Sequence, residues 1–164
     1  MTQGIHVRID NRLLHGQVVQ FWIPHLEVER LVIADDATAT DETLVSLYRM
    51  VMPKGVGLDI VKPEELAAAV ENATASSTLV LLGSIGDVMR ARRSGFAFEL
   101  LTIGNVHPAQ GRTRVTDSVY LSADEVQSLL MLRSGGTIID IQSFPGEQYK
   151  LELDDRGGPT WVKK

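Results

Sequence analysis

Short apolar runs alternate with longer stretches of helical spacing along this chain. Strand character is strongest at Ile5–Ile9, Leu31–Ala34, Val56–Val61, Thr78–Leu82, Leu100–Ile103, Val119–Leu121 and Thr137–Ile141. Several are unbroken apolar runs rather than alternating ones. That predicts a sheet covered on both faces, as parallel sheets are. The segments between them read as helices. After His15, the residues Val19, Trp22, Ile23 and Leu26 follow helical spacing, and Pro24 predicts an end or a kink near Ile23. Thr40 is placed to cap a second helix striped by Leu44, Leu47, Tyr48 and Val51, which Pro53 stops. Pro63 suits the first turn of a third, striped by Leu66, Ala69, Val70 and Ala73. Ser84 predicts the cap of a fourth that ends at Gly95. Ser122 to Glu125 form a capping box opening a fifth, closed by Gly135 and Gly136.

This alternation implies right-handed crossovers and an α/β fold, a three-layer α/β/α sandwich around a mainly parallel sheet. A length of 164 residues suits one domain spanning 1–164, and no repeat or linker divides it. Gly104 to Asp117 reads as one long irregular loop, of the kind that is more often functional or mobile than neutral. The tail Asp155–Lys164 reads as loosely held, with Trp161 as its anchor.

Composition narrows the chemistry. An apolar content of 44% fits a globular chain, and with no cysteine there is neither a disulfide nor a thiolate metal site. The opening is polar within its first dozen residues, so no signal peptide is read, and no window has the apolar length of a membrane span. A cytoplasmic protein is expected, with any membrane association made through partners. Sixteen Lys and Arg against 21 Asp and Glu leave a net charge of −5, which disfavours a nucleic-acid partner.

The informative stretch is Arg8-Ile9-Asp10-Asn11-Arg12-Leu13-Leu14-His15-Gly16-Gln17-Val18. A strand runs out near Ile9, a charged loop follows, and a helix starts near Gly16. Ligands of open α/β sheets sit outside the carboxyl ends of strands, which puts His15 where a reacting group belongs. Neutral imidazole is a nucleophile near physiological pH. Free amides of Gly16 and Gln17 at a helix start favour an anion, and Gly16 carries no Cβ to obstruct one. Arg12 offers planar donors to phosphate oxygens. Arg8 offers the same or pairs with a carboxylate. Asp10 either hydrogen-bonds an imidazole nitrogen or orients Arg12. Leu13 and Leu14 read as packing residues.

On these residues the chain resembles the IIB subunits of the mannose/fructose/sorbose class of bacterial sugar phosphotransferase systems. That class carries a first-strand signature close to R-I-D-D/N-R-L-I/L-H-G-Q-V, with Asn11 and Leu14 as accepted variants. Leu31 to Asp36, Thr102 to Val106 and Ser118 to Ser122 extend the likeness over nearly the whole chain. The resemblance implies the three-layer fold and a phosphohistidine carrier. His15 would accept phosphate from a IIA partner and pass it to a sugar at membrane IIC and IID subunits, the sugar being bound mainly by IIC. Arg8, Asp10, Arg12, Gly16 and Gln17 would bind the phosphate or orient His15. Neither cofactor nor metal is implied, and a homo-oligomer is left open. The alternative is a regulatory protein switched by His15 phosphorylation, without transport.

Other features have plainer readings. Asp35-Asp36 is similar to the acid pair of receiver domains, but Asp59 lies inside its strand and Gly104-Asn105 stands where a receiver needs Lys. The pair is expected to order a turn or a cap. Arg112 and Arg114 either meet phosphate or an acidic partner, or lie on a solvated loop. His6, His25 and His107 lack metal-ligand spacing.

Overall fold

The computed structural model describes residues 4–71 and 74–164. Ala73, expected at the end of the third helical stripe, and the first three residues of the polar opening lie outside them. Eight strands form one sheet: β1 Ile5–Asp10, β2 Arg30–Ala34, β3 Gly57–Val61, β4 Thr78–Leu82, β5 Leu100–Asn105, β8 Ile138–Ile141, β9 Tyr149–Leu153 and β10 Pro159–Lys163. Their order is β10-β9-β8-β5-β1-β4-β2-β3. The run from β8 to β3 is parallel, and β9 and β10 add an antiparallel hairpin at one edge. The unbroken apolar runs explain the parallel centre. Every residue of β4 is buried, as are four of the five in β2, which requires cover on both faces.

Two cores supply that cover. One packs Val7, Ile9, Val80, Leu101 and Ile103 beneath α5 Ile85–Arg93 and α6 Ala123–Ser134. The other packs Leu31, Ile33, Leu79 and Leu81 beneath the helical segment after His15, with Tyr48 of α3 Glu42–Val51 packed against it. The first core also takes Leu66, Ala67 and Val70 from α4 Leu66–Glu71, which continues the 3-10 turn Pro63–Glu65. Leu100 and its cross-strand partner Ile138 are exposed, so the second helical layer stops short of β8.

Several expectations change at the level of local structure. The helix after His15 is a π-helix over Val18–Trp22 that passes into α1 Ile23–His25. The Ile23 N–H bonds Val18 O, the five-residue spacing of a π turn. Pro24 follows directly on the π turn inside a continuous helical run, and the helix goes beyond Ile23 to His25. Thr40 is the C-cap of the short α2 Asp36–Ala39, and Asp41 caps α3 by accepting the amides of Thr43 and Leu44 at 2.9 and 3.1 Å. The Ser84 cap and the Ser122–Glu125 capping box form as expected.

The stretch Gly104 to Asp117 is not one loop. β5 continues to Asn105, and β6 Arg112–Arg114 pairs antiparallel with β7 Tyr120–Ser122 in a separate ribbon. The strand expected at Val119–Leu121 is thus shifted by one residue and lies outside the main sheet, to which Val119 makes a single bridge at Val106. The tail is held as well. Leu151 pairs with Trp161 across the β9–β10 hairpin, and both pack on the first core.

Removing the Asp41 side chain takes an acceptor from two orphan helix amides. Asp41→Ala is expected to cost about 1 kcal/mol in urea denaturation, and Thr40→Ala within about 0.5 kcal/mol. The reverse ranking would return the cap to Thr40.

Candidate active site

β1 ends at Asp10 in the crevice between its neighbours β5 and β4. The chain then turns sharply. Leu13 N–H bonds Asp10 O at 2.9 Å, and Arg12 N–H bonds the Asp10 side chain at 3.0 Å. Leu13 takes a left-handed conformation, with φ of 54°, which is costly for a branched side chain. Burial of Leu13 and Leu14 in the second core holds the turn. Asn11 ties it to both neighbouring strand ends, donating to Gly83 O and accepting the His107 amide, each at 2.6 Å. The helical run then begins at Gly16.

This turn brings His15 back over Asp10. Its Nε2 lies 2.8 Å from Asp10 Oδ2. The carboxylate has no exposure and also accepts Asn105 Nδ2 at 2.8 Å. Arg8 Nη2 and Arg12 Nε lie 3.6 Å from its two oxygens. Burial pushes the Asp10 carboxyl up. The hydrogen bonds from His15, Asn105 and the Arg12 amide outweigh that and hold it below the usual carboxylate range. An ionised carboxylate only accepts, so Nε2 carries the proton of the shared bond. The lone pair is then on Nδ1, where it accepts the Gln17 amide at 3.3 Å. The ring thus offers its nucleophilic nitrogen beside the first amides of a helix, where an anion is favoured.

The other expected residues divide by depth. Arg12 is exposed and donates to Gln17 Oε1 at 3.0 Å. A Cβ at Gly16 would meet nothing within 4 Å, so open space adjoins its Cα. His15 is accessible only in part, its side chain keeping 14% exposure. Arg8 is 1% exposed and lies under the site. It donates to Gln142 O at 2.7 Å and Ser143 O at 3.3 Å and stacks on Trp22 at 4.3 Å. Burial lowers its pKa to about 10 despite Asp10. Its place beneath Asp10 suits an orienting role and leaves no route to an anion at the surface. Gly104 is required here, because a Cβ would come within 2.0 Å of the Arg8 guanidinium.

Asn105, Trp22 and the Gln142–Ser143 carbonyls were not anticipated as site groups. Only the strand order, which sets β5 beside β1 and β8 beside β5, brings them in. Asp35 caps α2, accepting the Thr38 amide, while Asp36 pairs with Arg90. Arg112 is bound by Glu125 at 2.6 Å and by His107 O, so it holds the ribbon rather than facing a ligand. Arg114 pairs with Asp117. His6 and His25 line a separate cavity with Trp22.

The depressed Asp10 pKa has a definite sign in stability. A carboxyl held below its unfolded value of about 3.9 stabilises the fold above that pH and loses the contribution as pH falls through the native value. Asp10→Asn is expected to lower the urea midpoint at pH 7 and to flatten its fall between about pH 5 and pH 2. Parallel midpoint profiles for the two proteins would contradict the ionised network.

Known proteins share this arrangement of chain. The sorbose-specific EIIB component of Lacticaseibacillus casei is 28% identical over 153 residues, covering 90% of this chain and 93% of its own. The mannose-specific EIIAB component of Escherichia coli K12 is 26% identical over 150 residues, covering 90% of this chain and 46% of its own. The crystal structure of the N-acetylgalactosamine-specific IIB component 1 of Escherichia coli superposes with a TM-score of 0.81 at 26% identity, over 92% of this chain and 98% of that one. The family described as PTS system sorbose subfamily IIB component matches residues 5–155. With that match across most of its length, the chain belongs to the sorbose-type IIB components, the sugar phosphotransferase subunits of the phosphotransferase system.

Proposed function

We propose that His15 accepts a phosphoryl group on Nδ1 from a phosphohistidine of a IIA component and hands it to a sugar at membrane IIC and IID components. The observation that carries this reading is the Asp10–His15 bond, which ties up Nε2 and leaves Nδ1 facing the helix-start amides. In the accepting step the Nδ1 lone pair gives up the Gln17 amide, which is left free to meet a phosphoryl oxygen, and forms the new N–P bond. The donor N–P bond breaks, and its electron pair returns to the donor imidazole. The Nε2 proton stays in the bond to Asp10, where the carboxylate offsets charge gathering on the ring.

Little else is needed, since phosphoryl transfer relies on positioning and electrostatic stabilisation. Arg12 and the amides of Gly16 and Gln17 supply donors to the phosphoryl oxygens. Arg8 acts from below by orienting Asp10 and fixing the Gln142–Ser143 segment. The mannose-specific relative bears the name EIIAB, an A and a B component in one chain, which supports a IIA-type donor.

Incubation with phosphorylated IIA followed by mass spectrometry is expected to place acid-labile phosphate on His15, with no label in His15→Gln. Label retained in that variant would refute the assignment. Arg12→Ala is expected to slow transfer about 10- to 100-fold, the worth of a charge-assisted hydrogen bond, with little loss of stability. A variant that unfolds would make Arg12 structural instead.

A further inference from the structure

Asp140 of β8 is a second buried carboxylate, outside the His15 turn and with no solvent exposure. Its Oδ2 accepts the side-chain amides of Gln142 at 3.0 Å and Gln148 at 2.7 Å, while its Oδ1 has no partner among the described residues. The strand register puts it in a row of polar side chains. Arg8 pairs with Thr102 across β1 and β5, and Thr102 pairs with Asp140 across β5 and β8. Cross-strand partners point to one face of a sheet, so the three share a face. All three are buried. A charge kept in such a place is costly unless other charges or donors compensate it.

Arg8 connects this carboxylate to the site. Its Nη2 lies 3.6 Å from Asp10 Oδ2, the oxygen that takes the His15 N–H. Its Nη1 donates to the carbonyl of Gln142, whose side chain holds Asp140. Burial lowers the Arg8 pKa, and the charges of Asp10 and Asp140 both act against that. Arg8 and Asp10 alone would make a neutral pair, cancelling much of the field that Asp10 directs at the ring. With Asp140 included, one cation faces two anions, and the cluster keeps a negative balance. Buried charges are weakly screened, so that balance reaches the ring.

We propose that Asp140 is a positioning residue for His15: it offsets the charge of Arg8, so that Asp10 retains the negative field that supports the imidazole as it gains charge. The inference rests on the phosphocarrier reading for the reaction it serves. Asp140 bonds Gln142 and Gln148 rather than the ring, and acts through Arg8. Other titratable groups lie around the two residues. Arg12 stands on the turn, 3.6 Å from Asp10. Tyr48 of α3 shares a pocket with His15, and burial raises its pKa, which keeps it neutral near pH 7. The half-buried Lys150 of β9 is the cross-strand partner of Asp140.

The test is an NMR pH titration of the His15 ring in the full, unphosphorylated chain. Asp140→Asn keeps the shape and an acceptor oxygen for both glutamines but removes the charge. It is expected to lower the His15 titration midpoint by about half a pH unit, and to slow labelling by phosphorylated IIA about threefold or more. A residue that only held the fold would leave the midpoint of a folded variant in place. Arg8→Met combined with Asp140→Asn removes both charges and is expected to return the midpoint to the wild-type value or above it. That double variant also carries the test if an unbalanced Arg8 keeps the single one from folding. A midpoint unmoved or raised in Asp140→Asn overturns the inference, as does an unchanged labelling rate, or a double variant whose midpoint falls as far as the single one's. Unfolding of both variants would make Asp140 structural and overturns it too. An unlabelled His15 in the wild-type protein would sink the carrier reading alone. An unmoved midpoint with His15 labelled would sink this one alone.

Discussion

A carboxylate with no solvent exposure sits at the end of the first strand, and the geometry of the site follows from the need to keep it ionised. Desolvation alone would push the Asp10 carboxyl toward its protonated form. Three donors prevent that: the His15 ring, the Asn105 amide and the Arg12 backbone. Each comes from a different part of the loop or from the neighbouring strand, so satisfying the charge also fixes where those parts sit. A buried charge that loses one partner is left uncompensated at a cost of several kcal/mol, by the order of ~3–5 kcal/mol. The network is therefore a constraint on position as much as a source of stability.

The same constraint reaches outward on two sides. Below, Arg8 balances Asp10 in charge while donating to carbonyls of the β8–β9 connection, and Gly104 leaves the space its guanidinium fills. Above, the carboxylate fixes the proton on Nε2 and so determines which imidazole nitrogen faces the helix start. The left-handed backbone at Leu13 is the local cost of swinging His15 back over Asp10, and burial of two leucines offsets it. A strained backbone beside a reactive group that the core over-determines is consistent with preorganisation.

The proposed relay would require an acceptor nitrogen that is presented and still controlled. His15 meets both demands by dividing the ring. One nitrogen is committed to a buried carboxylate, and the other accepts a single backbone amide in a partly exposed side chain. The acceptor itself lies in no deep pocket, which fits the proposed transfer between proteins.

Much of this was legible in the chain before folding was considered. Unbroken apolar runs determine a parallel sheet because both faces of such strands must be covered, and the caps at Ser84 and Ser122 are local chemistry that needs no distant partner. The Asp10-to-Gln17 segment is likewise contiguous, so its residues meet through a single turn. Only the tertiary structure decided the rest. The strand order brings Asn105, Gln142 and Ser143 to β1 from about a hundred residues away. Charge next to apolar strands does not reveal that Arg8 points inward until Trp22 and two carbonyls are seen to receive it. The hairpin of β9 and β10 escaped for a related reason. Edge strands half open to solvent carry mixed, weakly periodic residues, and their hydrogen bonds come from a neighbour that sequence spacing cannot name.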